Sequence, residues 1–451
     1  MRRGEEIAGG KGYAQAVATR AQRMGGDAMT SDTLIIDDAV IYLDAAATAQ
    51  VRREALEAMW PFLGPRFGNP SSVHELGRDA EVALEDARAS IARVLGARPS
   101  EVTMTSGGTE SDNTAVKGIA LARAEAVGAR HVIVSAVEHT AVLESANWLG
   151  RFGFEVSVLG VDRFGMVGPA ELERVLRADT AVVSVQLANN EVGTVQPVAD
   201  LAAICAARGV PLHTDAVQAA GWLSLDVKAL GVSALSLAAH KVGGPRGVGA
   251  LWVKRGVPLE PLLHGGGQER GRRSGTQDVA GAVGFATALT LAESERLTRD
   301  GGRVPHDGGR VPHDGGRVPH DGGRLAPPSP LRDAFIARVV AGLTPLLPEV
   351  ALTGHPTDRL GGHASFVLGG VSGESVLLEL ERRGVISSSG SACHAGSDEP
   401  SHVLTAMGIE RELAQTSLRF TWAASINPAD LDLAADALIS SVAGIIGASY
   451  S

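Results

Sequence analysis

Short apolar runs alternate with amphipathic stretches between about residue 101 and residue 253. Most of these runs are separated by segments whose apolar residues follow the 3.6-residue period of a helix, such as 141–152 and 198–208. Apolar strands that alternate with helices are typical of a largely parallel sheet covered on both faces, so the pattern predicts an α/β fold. The predicted strands are 102–105, 131–135, 155–159, 181–186, 211–214, 234–237 and 248–253.

The chain on either side of this region follows other patterns. Residues 1–39 are rich in Gly, Ala and Arg without a strand pattern, and we expect a poorly ordered arm there. A short strand at 40–43 precedes a helix that ends at Gly96, with apolar positions at Val82, Ala83, Ala87, Ile91, Val94 and Leu95. Beyond residue 330 the pattern predicts a smaller α+β domain. Its elements are helices at 331–347, 374–383 and 412–416 and strands at 364–368 and 417–421.

A tandem heptad, Gly-Gly-Arg-Val-Pro-His-Asp, begins at Gly301, is given three times and breaks off at Arg324. Each unit has one apolar residue and cannot bury enough surface to offset the entropy lost on ordering. We interpret 301–330 as a low-complexity insertion and linker. Its regularly spaced histidines, His306, His313 and His320, are candidate metal ligands, but organising them on a Gly-rich stretch costs entropy, and we expect no metal site.

Composition excludes several classes of function. The 451 residues are 44% hydrophobic and 20% charged, which is ordinary for a globular protein of two or three domains. A net charge of -10 without a basic stripe argues against nucleic-acid binding. No apolar run approaches the ~18 residues that span a bilayer, and the N-terminus lacks the apolar core of a secretory signal. We therefore expect a cytoplasmic protein without a membrane partner.

The chain has two cysteines, which are too few for a disulfide framework. If either cysteine has a function, we expect that function to depend on the reactivity of its thiol. Cys205 lies in an apolar helical run, and we expect a small buried side chain there. Cys393 lies among the serines and glycines of 387–397, which predict an exposed and mobile loop. A thiolate on such a loop can reach a reaction partner.

Lys241 follows the apolar run 233–239 and precedes the small or rigid residues 242–249. A lysine in such surroundings is unlike a solvated surface lysine, because burial shifts its pKa towards that of a Schiff-base nucleophile. Taken alone, the stretch is equally typical of an ordinary lysine at a strand end before a Gly-rich turn, and that simpler interpretation is favoured until other segments are added.

The segment 106–113 lies between a predicted strand and a predicted helix. Gly107 and Gly108 allow backbone N–H groups to approach an anion, and the helix N-terminus supplies roughly half a positive charge. These features predict a phosphate site. A helix cap at Thr109 with Asp112 in the first turn is compatible with the same residues.

Three further polar residues follow predicted strands and should meet at the edge of the sheet where ligands bind. His139, Asn190 and Asp215 follow the strands at 131–135, 181–186 and 211–214. An aspartate at the end of a buried strand is costly unless it faces a cation, and a protonated pyridine nitrogen is such a cation. A phosphate site, a ring-stacking histidine, an acid and a lysine together predict pyridoxal phosphate. Arg419 is either a surface charge or a clamp for an amino-acid carboxylate.

With these motifs in order, the chain resembles the cysteine desulfurase family, a branch of the fold-type I pyridoxal-phosphate enzymes. The resemblance extends from about Tyr42 to about Trp422. Its motifs are Tyr42-Leu43-Asp44, 67–72, 108–113, Glu138-His139, 189–191, Asp215 with Gln218, His240-Lys241, 264–270, 273–276 and 388–393. The Ser-Ser-Gly-Ser-Ala-Cys form is similar to the group that serves iron–sulfur and thio-cofactor assembly.

The resemblance implies a large cofactor domain at 54–290, with a mostly parallel seven-stranded sheet. It also implies a small α+β domain at 331–451, against which 40–53 packs. Lys241 would carry the cofactor and move the α-proton. Asp215 would contact the pyridine nitrogen and Gln218 the ring hydroxyl. His139 would stack on the ring face and take part in proton transfer. The phosphate would be held by Gly108, Thr109, His240 and Thr276 of the other subunit.

The implied reaction is the removal of sulfur from L-cysteine, which leaves L-alanine. Asn190, also a cofactor contact, and Arg419 would hold the substrate carboxylate, and Cys393 would take the sulfur as a persulfide. The implied partners are a second copy of the chain and a sulfur-acceptor protein for iron–sulfur assembly or tRNA thiolation.

One position departs from the family pattern. Ala238 stands where the family commonly has serine, so one phosphate hydrogen bond is missing, at a cost of about 1–3 kcal/mol of cofactor affinity unless something replaces it. Two alternatives remain open at this point. The first is selenocysteine lyase or another aminotransferase-type enzyme of this fold, which would not require Cys393. The second is a non-catalytic sulfur carrier or scaffold, which would not require both Lys241 and Cys393.

Overall fold

The structure is a computed structural model, and it describes residues 40–301, 325–390 and 399–449. Three of the sequence predictions lie outside these residues. They are the arm at 1–39, the heptad histidines His306, His313 and His320, and the loop position of Cys393.

Strands and helices alternate through the first described range. The elements there are β1 (Ile41–Tyr42), α1 (Arg53–Leu63), α2 (Glu75–Val94), β2 (Val102–Thr105), α3 (Gly108–Val127), β3 (His131–Ser135), α4 (Thr140–Leu149), β4 (Glu155–Leu159), α5 (Pro169–Val175), β5 (Thr180–Ser184), α6 (Val198–Ala207), β6 (Leu212–Asp215), α7 (Val227–Leu230), β7 (Ala234–Ala238), β8 (Gly249–Val253) and α8 (Val279–Arg299).

Seven of these strands form one sheet in the order β2-β8-β7-β6-β5-β3-β4. β8 is antiparallel to both of its neighbours, and the other pairs are parallel. The prediction of a mostly parallel, seven-stranded α/β sheet is therefore confirmed. β2, β3 and β4 have the predicted bounds, and the other four differ by at most two residues. The carboxyl ends of β3, β5, β6 and β7 lie at one edge, where the predicted site residues follow them.

The two faces of the sheet are covered by helices, as long apolar strands require. β2, β3, β5, β6, β7 and β8 are buried along their whole length. α8 packs against α1 and α2 and buries Phe285 and Leu289 completely or almost completely. The apolar face predicted for the helix before Gly96 is correct for Ala83, Ala87 and Ile91, but wrong for Val82, which is 60% exposed. α2 presents only part of its surface to α8, so an apolar residue one position away from the contact stays outside.

A second, smaller sheet follows in the C-terminal part of the chain. The elements there are α9 (Pro330–Leu343), β9 (Glu349–Leu352), β10 (His363–Gly369), α10 (Gly373–Arg382), β11 (Val385–Ile386), α11 (His402–Ala406), α12 (Arg411–Ala414), β12 (Leu418–Thr421) and α13 (Pro428–Ser449). β10 lies between β12 and β9 and is antiparallel to both. α13 packs against α9 and α10. From Tyr42 onward the chain forms one compact unit, and the division into domains at 54–290 and 331–451 stays a prediction.

Among the helices of the described ranges, no segment combines the length and the apolarity that would let it cross a membrane.

Phe285 supplies a direct test of the packing between α8 and the helices beside it. We expect Phe285→Ala to lower the free energy of unfolding by about 3–5 kcal/mol, because it removes a fully buried ring and leaves a cavity. Chemical denaturation measures this change. Leu433→Ala on α13 is the control, since Leu433 is 59% exposed and should cost less than about 1 kcal/mol. Equal losses in both variants would contradict the packing described.

Candidate active site

Lys241 lies at the end of a tight turn that follows β7. The turn spans Ala239–Lys241, and Gly244 N donates to Ala239 O at 2.9 Å, which folds the backbone back at once. Gly243 adopts a φ of +79°, and a Cβ there would lie 2.7 Å from the Arg52 side chain, so the position requires glycine. The Lys241 amine donates to the carbonyl oxygens of Ala46 and Ala47, the latter at 2.9 Å. The amine is thus directed inward and half-buried.

The segment 44–49 connects several of the predicted site residues. Gln218 Nε2 donates to Ala46 O at 3.0 Å, the same carbonyl that accepts from Lys241. His240 Nδ1 is hydrogen-bonded to Thr48 Oγ1 at 3.2 Å, and Ala49 N donates to His240 O at 2.9 Å. These bonds hold the lysine turn and Gln218 against one short segment, which itself turns at 45–47.

A cavity of about 390 Å³ opens beside this segment. Gly107, Gly108 and Thr109 line it at the N-terminus of α3, together with His240. Gly107 has a φ of +148° and supplies no side-chain cap, so the first-turn N–H groups of a 20-residue helix face the cavity with the positive end of the helix dipole. A cavity lined in this way favours an anion.

Close packing around the same helix N-terminus restricts what can stand there. A Cβ at Gly108 would lie 3.0 Å from Val217 Cγ2 and 3.6 Å from the Ala238 Cβ. A Cβ at Gly249 would lie 2.7 Å from the Gly107 backbone. The backbone therefore approaches the cavity closely, and Ala238, the position that departs from the family pattern, lies beside Gly108, which lines the cavity.

His139, Asp215 and Lys241 are brought within electrostatic range of one another. Asp215 ends β6 almost fully buried, and its Oδ1 accepts from Val217 N at 2.9 Å. Burial raises the pKa of Asp215, while His139 and Lys241 lower it. Burial lowers the pKa of His139, whose Nδ1 accepts from Ala141 N at 3.1 Å, so that the imidazole caps α4 in its neutral form. A cationic ring placed between these groups would relieve the cost of burying Asp215.

Arg419 is 2% exposed and reaches the site from β12. Its Nη2 donates to Asp44 Oδ1 at 2.8 Å and its Nη1 to the backbone oxygen of Asn190 at 3.1 Å. Its Nε is buried and has no hydrogen-bond partner among the described residues. The prediction of a carboxylate clamp is therefore compatible with the geometry, whereas the alternative of a surface charge is wrong.

Two more buried carboxyl groups lie close enough to Asp215 to raise their pKa. Glu138 Oε1 accepts from Ser135 Oγ at 2.5 Å and from Gln186 N at 2.8 Å, and burial, with help from Asp215, raises the pKa of Glu138 to about 8. Burial and then Asp215 raise the pKa of Asp112 well above its usual value. Glu138 is therefore largely protonated near pH 7, and the buried carboxyl groups of this cluster raise one another's pKa.

Sequence reasoning missed several residues that line the cavity or connect its parts. Arg246 lines it, and Thr48 both lines it and bonds to His240. The position of Arg246 directly after Pro245 in the Gly-rich turn was a usable signal, because a cation there stands opposite the predicted phosphate site. The contact of Ala46 with Lys241 had no signal, because a backbone carbonyl is present at every position.

Most of the predicted residues fall into three groups by position, and Thr276 and Cys393 belong to none of them. Gly108, Thr109 and His240 line the cavity, and Lys241, Asp215, His139 and Gln218 lie beside it. Asn190 and Arg419 meet at the end of β5. Thr276 is exposed and is absent from the cavity lining. Cys393 lies outside the described residues. Cys205 is 1% exposed, which confirms the prediction of a small buried side chain, and burial raises its pKa to about 12.

Comparison with known proteins agrees with this arrangement. A family model described as aminotransferase class-V matches residues 41–300. A protein named cysteine desulfurase IscS from Dictyoglomus turgidum is 43% identical over 404 residues, which is 88% of this chain and 93% of that protein. The chain belongs to the cysteine desulfurase family.

Solved structures show the same relationship. A structure titled NifS-like protein superimposes with a TM-score of 0.76 at 33% identity and covers 90% of this chain and all of its own. A structure titled SspA in complex with cysteine has a TM-score of 0.69 at 32% identity and covers 84% of this chain and 98% of its own. The fold-type I class predicted for this cysteine desulfurase family member is thereby confirmed.

Enzymes of the cysteine desulfurase family depend on pyridoxal phosphate, and the residues of this site fit that cofactor. The cavity at the α3 N-terminus suits a phosphate, and Arg246 adds a cation. Burial, followed by the nearby charges of Lys241 and Arg246, lowers the pKa of His240 to about 4, so its imidazole is neutral near pH 7. Asp215 suits a pyridinium nitrogen, and the primary amine of Lys241 suits an aldehyde.

The raised pKa of Glu138 gives this protein a measurable pH dependence. A carboxyl group whose pKa rises from 4.5 in the unfolded chain to about 8 in the fold is more strongly protonated when folded. Its contribution to stability is complete below the unfolded pKa and is lost as the pH rises through the folded one. We expect the free energy of unfolding of the cofactor-free protein to fall between about pH 5 and pH 8, by at most ~1.4 kcal/mol per pH unit.

Urea denaturation across this pH range tests the assignment. Glu138→Gln should flatten the profile, because a neutral amide cannot titrate. Glu144→Gln, on the exposed side of α4, is the control and should leave the profile unchanged. A Glu138→Gln profile as steep as that of the wild type would show that another group is responsible.

Proposed function

We propose that this protein is a pyridoxal-phosphate-dependent cysteine desulfurase, which removes sulfur from L-cysteine, releases L-alanine and keeps the sulfur as a persulfide on Cys393. The observation that carries the proposal is the position of the Lys241 amine beside an anion-binding cavity and within electrostatic range of Asp215 and His139. The names of the similar proteins, cysteine desulfurase IscS and a homologue in complex with cysteine, support the same reaction.

The residues around the cavity would hold the cofactor. Gly108, Thr109 and His240 bind its phosphate, and Gln218 bonds to the ring hydroxyl. Asp215 keeps the ring nitrogen protonated. When bound, pyridoxal phosphate withdraws electrons from the α-carbon of the amino acid attached to it. Lys241 Nζ, which is held by backbone carbonyls in this structure, is the group placed to carry the α-proton between steps.

His139 supplies a second proton-transfer group on the ring face. Because burial lowers its pKa, the imidazole is neutral near pH 7. Its Nδ1 accepts the Ala141 N–H, so the hydrogen of the neutral ring lies on Nε2, which is the nitrogen able to donate a proton. Asp215 raises and Lys241 lowers the pKa of His139, so both charges influence how readily the ring exchanges a proton.

The substrate carboxylate would meet Arg419 and Asn190. Arg419 Nε is buried and unpartnered among the described residues, and Asp44 already orients the guanidinium through Nη2. A carboxylate at this place completes the hydrogen bonding of the arginine. The substrate sulfur is then attacked by the Cys393 thiolate. The new S–S bond forms as the Cβ–S bond breaks, so that the electrons return to the carbon skeleton and no external oxidant is needed.

Substitution of the two central residues separates cofactor binding from sulfur removal. We expect Lys241→Ala to abolish both the covalent attachment of the cofactor and turnover. Cys393→Ala should retain the cofactor and lose more than about 1000-fold in alanine production from cysteine. Visible absorbance and alanine assays measure the two effects. Lys254→Ala and Cys205→Ala are the matched controls, and undiminished activity of Cys393→Ala would contradict the assignment.

A persulfide needs an acceptor, and we infer that the acceptor is a protein of iron–sulfur assembly or tRNA thiolation. The inference depends on the Ser-Ser-Gly-Ser-Ala-Cys sequence at 388–393. A persulfide persists only where it is protected from oxidation, so we place the protein in the cytoplasm.

We further infer that the working form is a homodimer. The surface at α1 and the loop after it exposes large apolar side chains, including Trp60 and Phe67, each 72% exposed, and Val73, 85% exposed. An apolar patch of this kind marks an association surface. Thr276 is also exposed, and it is absent from the lining of its own cavity. A second copy would cover the patch and receive Thr276 at its phosphate site.

Charged substitutions in this patch test the dimer. We expect the double variant Trp60→Asp, Phe67→Asp to raise the dimer dissociation constant by at least ~30-fold, because buried aromatic anchors dominate interfaces. Analytical ultracentrifugation measures the constant. Val127→Asp is the control, since Val127 is 67% exposed at the far end of α3. A wild-type protein that sediments as a monomer would contradict the inference.

A further inference from the structure

Arg88 and Glu269 form an ion pair that is almost completely buried. The two side chains are 2% and 1% exposed, and Arg88 contacts both carboxylate oxygens at 2.5 and 2.8 Å. Glu269 Oε2 also accepts from Met104 N at 2.8 Å. One carboxylate therefore connects α2 and β2 to the loop 263–277, which contains Thr276.

The backbone at Glu269 and Arg270 adopts an intrinsically unfavourable conformation. Glu269 and Arg270 have φ values of +51° and +59°, in the left-handed region that non-glycine residues seldom occupy. Two such residues in succession persist only where surrounding contacts fix them. The Glu269 side chain is buried, and its bidentate bond to Arg88, with the bond from Met104 N, is the charged contact among those that fix them.

The loop 263–277 folds back on itself around this fixed point. Ser274 N donates to Leu263 O at 3.1 Å, and Gly275 N donates to Gln268 Oε1 at 2.9 Å. Gln277, the neighbour of Thr276, donates from Nε2 to Glu269 Oε1 at 3.5 Å. The position of the exposed Thr276 hydroxyl thus depends on the place of Glu269.

A second tie links the loop to the anion cavity of its own chain. Arg273 Nε donates to Glu110 Oε1 at 3.0 Å, and Glu110 Oε2 accepts from Ser106 N at 2.8 Å. Both Glu110 and Ser106 line the cavity. The orientation of the loop is consequently set against the same strand and helix that build the phosphate site.

We propose that Glu269 is a positioning residue that, through Arg88, presents Thr276 to the phosphate site of a second copy of this chain. The inference rests on the proposed function, because it assumes both the bound cofactor and the homodimer. What is new is that contacts within each chain fix the conformation of the loop before the partner or the cofactor binds. In a free loop, the partner would have to order Thr276 at an entropic cost that weakens cofactor binding.

A double-mutant cycle on cofactor affinity tests the proposal. The variants are Glu269→Gln, Thr276→Val and the double variant, each titrated with pyridoxal phosphate as the cofactor-free dimer and followed by tryptophan fluorescence. We expect each single variant to raise the dissociation constant about tenfold. The double variant should be no more than about twofold weaker than the weaker single variant, because both changes remove the same contact.

Glu85→Gln is the matched control. Glu85 contacts Arg88 Nε at 3.0 Å and Arg270 Nη2 at 2.9 Å, but its side chain is 44% exposed. It shares the partner Arg88 and the chemical change of Glu269→Gln without the burial, and the cofactor affinity of Glu85→Gln should stay within about twofold of the wild type. If Glu269→Gln does not fold, Glu269→Asp keeps the charge, shortens the reach and enters the same cycle.

The outcomes distinguish this inference from the proposed function. Wild-type cofactor affinity in a Glu269 variant whose melting temperature is lowered would overturn the proposal, because the ion pair would then act on stability alone. Additive effects in the double variant would overturn it too, since Glu269 would act by another route. Wild-type cofactor affinity in Thr276→Val would show that Thr276 does not contact the phosphate of the second subunit, and it would overturn this inference. The roles proposed for Lys241 and Asp215 and the desulfurase reaction would not be affected.

Discussion

The contact of the Lys241 amine with the carbonyl groups of Ala46 and Ala47 is the interaction on which the rest of the site depends. An ammonium group in a half-buried place needs oxygen partners, and neutral carbonyls satisfy it without fixing it as tightly as a carboxylate would. The amine is therefore held in position but remains free to exchange these partners. A lysine paired with a carboxylate at this point would be harder to release.

The segment 44–48, which supplies these carbonyls, also forms contacts with residues of both sheets. Asp44, at its start, pairs with Arg419 of the smaller sheet, while Thr48, near its end, bonds to His240 beside the larger one. Ala46 N donates to Thr421 Oγ1 at 2.8 Å. Arg419 and Lys241 are thereby held relative to each other by the five residues 44–48, which form a short turn. A small shift of this segment would move both Arg419 and Lys241, so the position of the substrate carboxylate and the position of the proton-transfer group depend on each other.

Much of the fold could be predicted from the sequence because most of the buried strands, such as β7 and β8, are largely apolar and are separated by turn residues or helical segments. The helices α8 and α13 were not predicted, although their signals were present: Asp278 caps the first, and Leu431, Ala434, Ala435, Leu438 and Val442 follow the helical period in the second. Both helices are rich in alanine, whose weak apolar contrast hides the period.

The candidate site was predictable where side chains carry the chemistry, as for Lys241, Asp215 and His139. It was not predictable where backbone atoms or distant partners carry it. The carbonyls of 46 and 47 leave no mark in the sequence, and the pairing of Arg88 with Glu269 joins residues 181 positions apart. The raised pKa of Glu138 likewise follows from burial beside Asp215, which only the packed structure places there.

The central claim is that Lys241 is the residue to which the cofactor aldehyde bonds. Borohydride reduction of the cofactor-loaded protein, followed by peptide mass spectrometry, tests it directly, because reduction makes the bond permanent. The account predicts that the pyridoxyl label is found on the peptide that contains Lys241. A label on Lys117, Lys228 or Lys254 instead, with Lys241 unmodified, would contradict it.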